Sequence, residues 1–412
     1  MTTSSTSVRA NCRQFADYAA IAVVLTLPWS ISATGICVAA WLVFLIPTLD
    51  QDAIRQEFRR PAMWLPVALL GLALIGLLWS PAVWKEKLRA AEDFLRLALV
   101  GLLFIQFRRS ERGHWILVAF LFSGAVLLLA SWLSLLVPGI GKSPGIPVKD
   151  YISQSAVFTL CAFGLLYLGF DAFRARRIGY GLLILALSLP FFANMFFVVT
   201  SRTALLTIPF LMALLGHKFD GWRGAISMST IGGVLAMLVW ISSDNVRGRI
   251  GSISGEIESY YTTDTRTSMG ERLAFWRRSA VIMSGAPLMG HGTGATREMF
   301  WRSADGQSGL AALVTANPHN QTFAIGIQLG LFGIILLYAM WLAHLMLFRS
   351  GGIAAWIGLL VVVQSMIGSL ANSHLFDATH AWIYIFGVGV AGGIVSRQAG
   401  QNVFDRPRPA VS

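Results

Sequence analysis

Four residues, Asn317-Pro318-His319-Asn320, stand directly before an apolar run that begins near position 322. Asn317 suits a helix N-cap and Pro318 suits the first helical position, so the pattern predicts His319 and Asn320 in the first turn. The partial positive charge at a helix N-terminus disfavours imidazolium, and a neutral imidazole can accept a proton. His319 is therefore a candidate general base. A histidine that only caps a helix at a membrane interface is the alternative.

Arg202 is a candidate for binding a phosphate. It lies between Ser201 and Thr203, where two apolar runs meet. An arginine at the centre of a membrane helix costs about 2.5–3.5 kcal/mol on insertion scales, and less near the interface. Its guanidinium fork can contact two phosphate oxygens at once. The alternative is an arginine whose side chain extends toward the lipid headgroups.

A second basic candidate is Arg272. The sequence Ser268-Met269-Gly270-Glu271 has the form of a capping box, which predicts a helix that starts at Ser268. Arg272 and Trp276 then share one helix face at positions i and i+4. A helix that lies on the bilayer with its basic face toward headgroups is the alternative. Residues 242–321 hold eight Arg and seven Asp/Glu, so a specific arginine is favoured over a general basic patch.

Other polar residues give weaker indications. The glycine-rich stretch Gly290-His291-Gly292-Thr293-Gly294 can let backbone N–H groups approach an anion, but a tight turn with a structural His291 is the more common case. His374 and His380 are expected to be interfacial histidines that can neighbour the site. Asp50-Gln51-Asp52 has a D-x-D form without further ligands close by, so we expect a solvated turn and no metal site.

The composition predicts what holds these residues in place. Of 412 residues 55% are hydrophobic and 13% are charged, against about 25% charged in soluble domains. Repeated apolar runs of about twenty residues predict an all-α polytopic membrane protein. Basic residues that flank the runs explain much of the +12 net charge, and without a Lys/Arg run interleaved with aromatics we expect no nucleic acid. The three cysteines lack CxxC spacing, so neither a disulfide framework nor a zinc site is predicted.

Twelve apolar runs predict about twelve transmembrane helices. Residues 1–241 hold helices one to nine, 242–321 form one long loop with short helices, 322–396 hold helices ten to twelve, and 397–412 form a tail. Short connections on the side of the termini are rich in Arg, which predicts that both termini are cytoplasmic. The long loop then faces the periplasm, on the same side as Arg202. The runs cover about 15–30, 32–48, 63–80, 94–107, 115–137, 154–170, 179–200, 204–216, 225–241, 322–347, 353–371 and 381–396.

The order and spacing of four motifs resemble one family. The motifs are Ser201-Arg202-Thr203, Gly270-Glu271-Arg272 with Trp276, Pro287 through Gly294, and His319-Asn320 before a long apolar run. Together they resemble the O-antigen ligase and polymerase superfamily of bacterial envelope glycosyltransferases, over roughly residues 200–335. The resemblance implies a GT-C-type inverting transferase of the inner membrane, independent of metal ions and cofactors. It is closest to the lipopolysaccharide O-antigen ligase, since one long loop lies between spans nine and ten.

The resemblance also implies roles and partners. The donor is O-antigen on undecaprenyl diphosphate, the acceptor is a sugar hydroxyl of lipid A-core at the periplasmic face, and membrane lipids surround both. His319 is the expected general base, and Arg202 and Arg272 are expected to bind the diphosphate. Asn320, Trp276 and His291 are possible supporting residues. Within the superfamily, O-antigen polymerase and protein O-oligosaccharyltransferase remain alternatives. A flippase of lipid-linked glycans is the alternative from another class.

Overall fold

The computed structural model describes residues 2–137, 139 and 141–404, and within them the chain is helical throughout, without a β-strand. Fifteen α-helices are formed in these residues. In chain order they are α1 (Thr2–Thr26), α2 (Ile31–Leu45), α3 (Gln51–Glu57), α4 (Pro61–Gly76), α5 (Trp84–Arg109), α6 (Gly113–Leu136), α7 (Tyr151–Arg174), α8 (Ile178–Ala193), α9 (Arg202–Ser242), α10 (Asp244–Thr262), α11 (Ser268–Ser284), α12 (Thr296–Arg302), α13 (Gln321–Leu347), α14 (Ile353–Gly368) and α15 (Ala378–Phe404).

Each predicted apolar run coincides with one of these helices or with one arm of α9. In the described part of the chain, seven helices are long and apolar enough to cross a membrane. The number is eight if α3 and α4, which meet at a bend of 95°, count as one span. An all-α polytopic membrane protein is therefore confirmed. The count of twelve spans stays a prediction, because several of the remaining runs lie in helices that are shorter or carry more charge.

Helix α9 consists of two arms. The backbone leaves the helical region at Asp220 and Gly221, and Gly221 has φ 56°. The backbones of Gly216, before this break, and Gly224, after it, pack directly against each other, so the arms run antiparallel. The predicted runs 204–216 and 225–241 are these two arms. Arg202, at the start of the first arm, consequently lies on the same side of the bundle as the segment that follows the second arm.

The centre of the bundle is formed by α15. Tyr384, Ile385, Val388 and Ala391 are fully buried in the main hydrophobic core, and α5 packs along this helix. Helix α15 continues to Phe404, so residues 397–404 of the predicted tail extend the last helix. Residues 405–412 of that tail lie outside the described residues.

The segment between α9 and α13 is a folded unit. It contains α10, α11 and α12, and it has a small core of its own. Phe275 and Ile282 of α11 pack there against Met299 and Phe300 of α12 and against Ile327 of α13. A polar stretch of this length needs such a core to hold side chains in fixed positions, because loops without buried apolar contacts open readily.

Helix α13 is interrupted at Gly330, which has φ 60° and ψ −154°. The preceding segment pairs with the interruption through its backbone. The amide of Leu331 donates to the carbonyl of Pro287 at 2.9 Å, and the amides of His291 and Gly292 donate to the carbonyls of Ile327 and Gln328 at 2.8 and 2.9 Å. Backbone groups freed by a broken membrane helix must be bonded within the protein. Residues 287–292 bond four of these groups here, the carbonyls of Ile327 and Gln328 and the amides of Leu331 and Phe332.

Candidate active site

His319 lies just before α13. The helix begins at Gln321, and its N-cap is Asn320, whose side chain accepts a hydrogen bond from the amide of Phe323 at 3.2 Å. The prediction that Asn317 caps this helix and that His319 lies in its first turn is therefore wrong. The Asn317 side chain instead accepts from the amide of His319 at 2.9 Å. Asparagine readily bonds the backbone two residues ahead, and this local turn delays the helix start.

The backbone of His319 is held in an uncommon conformation, with φ 54°. Few residues other than glycine adopt the left-handed region, and such strain is found where the surrounding structure fixes it. Two side chains of α11 provide that support. Trp276 Nε1 donates to the carbonyl of His319 at 3.2 Å, and the Phe275 ring stacks on the imidazole with centroids 6.1 Å apart.

Neighbouring amides determine the tautomer of His319. A backbone N–H can only donate, so Asn317 presents Oδ1 to the amide of His319. The Asn317 Nδ2 then donates to Asn372 at 3.1 Å, which makes the accepting atom Asn372 Oδ1. His319 Nδ1 lies 3.1 Å from the same oxygen and must therefore carry its proton. The lone pair is left on Nε2, which has no hydrogen-bond partner among the described residues.

The surroundings keep His319 neutral. Burial lowers the pKa of the imidazole below its ordinary value, and the positive charge of Arg272 lowers it further. The hydrogen bond with Asn372 and the charge of Glu271 oppose this shift without reversing it. A neutral imidazole with a free Nε2 is the form that accepts a proton near pH 7.

Arg272 lies between the surroundings of His319 and those of Arg202. Helix α11 starts at Ser268 as predicted, although its N-cap is Thr267, which accepts from Gly270 at 3.1 Å. From this helix Arg272 Nε donates to the carbonyl of Ala371 at 3.2 Å, next to Asn372. Burial lowers the pKa of Arg272, and the charge of Arg202 lowers it as well. Arg272 Nη1 also donates to the carbonyl of Ser268, and the amide of the next residue, Met269, donates to Glu256, the partner of Arg202.

Arg202 makes a bidentate contact, but its partner is a carboxylate. Both terminal nitrogens donate to Glu256 of α10, one of them at 3.1 Å. Nε donates to the carbonyl of Arg249 at 2.9 Å, and Nη2 also donates to Ser252 Oγ at 2.8 Å. The hydrogen bond from Arg202 is the main cause that lowers the pKa of Glu256 to about 2. The pair is therefore ionised at neutral pH.

The glycine-rich stretch has a structural role. The amides of Gly290 and Thr293 donate to the carbonyls of Ala286 and Gly76, and the amide of Gly294 donates to Gln328 Oε1 at 2.7 Å. The amides of residues 291 and 292 pair with α13, as described above. No amide from 290 to 294 is left to bind an anion. His291 Nε2 donates to the carbonyl of Ile282 at 2.8 Å, so this histidine secures the turn.

Asn320 also serves the scaffold. In addition to capping α13, its Nδ2 donates to the carbonyl of Leu370 at 3.0 Å. In the described part of the chain Asn320 forms no hydrogen bond with the imidazole of His319. The residue that bonds the ring is Asn372, through its Oδ1 and His319 Nδ1.

His374 and His380 are both buried within the protein. Their rings stack with centroids 4.0 Å apart. Asp377 accepts from His380 Nδ1 at 2.9 Å and from Lys149 at 2.7 Å. This cluster fixes the segment between α14 and α15, which is the segment that carries Asn372.

Two site residues were not predicted from the sequence. Asn372 lies 53 positions after His319, and Glu256 lies 54 positions after Arg202. Neither belongs to a motif, so no local pattern marks them. The one available signal for Glu256 is that the excess of arginines in the segment needs counter-charges.

Comparison with known families completes the description of this site. The model of a family described as O-antigen ligase matches residues 187–338 of the chain. The match includes Arg202, Glu256, Arg272 and His319, and it ends before Asn372. No curated protein matches the sequence.

Proposed function

We propose that this member of the O-antigen ligase/polymerase superfamily is the ligase that completes lipopolysaccharide. It transfers O-antigen polysaccharide from undecaprenyl diphosphate to a sugar hydroxyl of lipid A-core, at the periplasmic face of the inner membrane. The observation that carries the proposal is the neutral His319, whose Nε2 is free beside Arg272.

In the proposed reaction His319 is the general base. Nε2 takes the proton of the acceptor hydroxyl as its oxygen forms a bond to the anomeric carbon of the donor sugar. The bond from that carbon to the diphosphate oxygen breaks on the opposite side, so the anomeric configuration is inverted. Asn372 supports this role because its oxygen accepts from Nδ1–H and steadies the imidazolium that forms. A general base is typically worth about 10²–10⁴-fold in rate.

Arg272 and Arg202 are proposed to stabilise the leaving diphosphate. Burial lowers the pKa of Arg272, and the charge of Arg202 lowers it further, so the Arg272 guanidinium is partly dehydrated and has a second cation nearby. Such charge, partly removed from water, stabilises a developing anion strongly. The arginines would do the work that a divalent cation does in other transferases, and the proposed reaction is therefore independent of metal ions.

The choice of a ligase over a polymerase rests on the single folded segment that holds both Arg272 and His319. A flippase is less well supported, although a broken helix such as α13 is a feature that transporters share. In α13 residues 287–292 form four backbone hydrogen bonds with the interrupted stretch, so these groups are occupied by the protein rather than by a substrate.

The proposal is tested with purified protein, lipid-linked O-antigen and lipid A-core in liposomes. We expect release of undecaprenyl diphosphate and a new glycosidic bond, and a loss of about 10²-fold or more in rate for His319→Ala. His114→Ala is the matched control, since His114 is exposed at the N-terminal end of α6, remote in sequence from the site. If His319→Ala keeps most of the activity, the assigned base is wrong. In a deletion strain, loss of the whole O-antigen ladder indicates a ligase, whereas a core with one repeat indicates a polymerase.

A further inference from the structure

The guanidinium of Arg202 already binds a carboxylate, and this contact bears on how a donor enters the site. We propose that Glu256 is an internal competitor for Arg202, a carboxylate that a diphosphate must displace before both of its phosphates are bound. This inference rests on the proposed function and adds to it a step of donor binding, the release of Glu256 from Arg202.

Glu256 is held by groups that also suit a phosphate. Its carboxylate accepts from both terminal nitrogens of Arg202 and from the amide of Met269 at 2.9 Å. Ser252 Oγ lies against the same guanidinium. A guanidinium fork, a backbone amide and a hydroxyl are the donors that bind phosphate oxygens in proteins. A phosphate at Arg202 and the Glu256 carboxylate therefore need the same hydrogen-bond donors.

Arg202 has too few free N–H donors to bind the Glu256 carboxylate and a phosphate at the same time. A guanidinium has five N–H donors, and the contacts to Glu256, Ser252 and the Arg249 carbonyl use four of them. A phosphate that arrives while Glu256 stays in place would meet one donor and a negative charge. Like charges at contact distance repel strongly at a partly dehydrated site. Binding of the phosphate at Arg202 consequently requires that Glu256 leaves.

Arg272 gives a diphosphate a second contact beside this exchange. Arg272 Nη1 donates to the carbonyl of Ser268 at 3.0 Å, and the amide of the next residue, Met269, donates to Glu256. A ligand with two phosphates can place one at Arg272 while the other replaces Glu256 at Arg202. A ligand with one phosphate can bind at Arg272 and leave Glu256 in place. The free-energy cost of displacing Glu256 therefore falls mainly on the binding of a diphosphate.

The experiment measures binding of pyrophosphate and of inorganic phosphate to the full-length protein in detergent by titration calorimetry. Glu256→Gln keeps the size and the acceptor for the Met269 amide but removes the competing charge. We expect Glu256→Gln to tighten binding of pyrophosphate by roughly tenfold or more, the scale of one close charge pair. The gain should be smaller for phosphate, because a single phosphate can bind at Arg272 without displacing Glu256. Glu258→Gln on the same helix is the matched control, because Glu258 is exposed.

A second variant guards against a folding defect. Glu256→Asp shortens the side chain by one methylene, so it cannot hold both Arg202 and the Met269 amide. We expect Glu256→Asp to tighten pyrophosphate binding as Glu256→Gln does, but by a smaller factor. Thermal unfolding of each variant shows whether it is folded.

The outcomes separate this inference from the proposed function. Unchanged or weaker pyrophosphate binding in folded Glu256→Gln and Glu256→Asp overturns the competition, even if the wild-type protein transfers glycan. Tighter pyrophosphate binding in both variants supports the competition, even if the transfer assay fails and the proposed reaction has to be abandoned. Absence of pyrophosphate binding in the wild type and in both variants also overturns it.

Discussion

Two polar segments of this protein, residues 290–294 and residues 317–320, are similar in sequence. They differ in whether a hydrogen-bonding group is left without a partner. In the first, every backbone amide donates to the protein and His291 Nε2 donates to a carbonyl. In the second, His319 has a strained backbone, a fixed Nδ1 proton and an Nε2 without a partner in the described residues. Both segments hold a histidine among small or polar residues, yet only the second has an unused group.

The difference shows that a polar motif near a membrane is not by itself a site. Buried hydrogen-bonding groups have to be satisfied, and a motif that satisfies its neighbours is part of the scaffold. A motif in which supporting residues hold one group free is a candidate for chemistry. The comparison predicts that changes near His319 affect the rate of transfer, whereas changes in residues 290–294 affect stability.

After His319→Ala, the largest loss of transfer activity is expected for Arg272→Lys. Lysine keeps the positive charge but loses the planar fork, so it cannot hold both the Ala371 carbonyl and a phosphate. We expect kcat to fall by about 10²–10³-fold, as for the loss of one electrostatic donor, with an unchanged melting temperature. Steady-state transfer assays and thermal unfolding measure the two quantities. Arg277→Lys is the control, because Arg277 is exposed on the same helix. Equal losses in the two variants would show that Arg272 has no special role.

An intermediate effect, on stability alone, is expected for Gly292→Ala. Gly292 has φ 93°, and a Cβ there would lie 2.5 Å from Ser80 Cα. We expect a loss of about 1–3 kcal/mol in the free energy of unfolding, from strain and close contact. Gly306→Ala separates the two causes, since it has φ 67° but open space around the added carbon. If Gly292→Ala abolishes transfer while the protein stays as stable as the wild type, the comparison between the two segments fails.

The smallest effect is expected for Asn372→Ala. The variant leaves His319 and Arg272 in place but removes the acceptor that holds Nδ1–H. We expect a loss of about tenfold in kcat, at the low end for a residue that orients a catalytic group.

The pH profile gives this variant a specific signature. In the proposed mechanism the neutral imidazole is the active form, so we expect activity to fall as the pH drops through the pKa of His319, which lies below its ordinary value. The bond to Asn372 raises that pKa, so its removal should move the acid limb of the profile of kcat to lower pH. A limb that stays in place or moves to higher pH would contradict the assignment.

Much of the fold followed from local patterns, whereas the contacts of the site did not. Apolar periodicity located the helices, and the capping signal placed the start of α11 at Ser268. The helix face shared by Arg272 and Trp276 was also correct. Trp276 donates to the carbonyl of His319, and Arg272 donates to the carbonyl of Ala371, next to the Asn372 that contacts the His319 ring. These features depend on residues within a few positions of one another.

The missed features depend on partners far away in the chain. Nothing near His319 in the sequence indicates that Asn372 accepts from its ring, or that Glu256 occupies Arg202. The error at the start of α13 has another cause. Asn317 and Asn320 can both cap a helix, and the choice was decided by the turn that Asn317 closes onto His319. Because both asparagines carry the same local capping signal, the sequence alone does not decide which of them caps α13, and the contacts of the folded chain do.

The interruption of α13 at Gly330 has a mechanical consequence. Because residues 287–292 are bonded to the broken helix through their backbones, the segment that carries α11 and α12 is anchored inside the bundle rather than tethered above it. His319 lies between this anchored segment and the start of α13, so its position relative to the bundle is fixed. A base fixed in this way, as proposed for His319, would act on the bond next to the lipid anchor however long the attached sugar chain is. We expect transfer rates to be independent of glycan length.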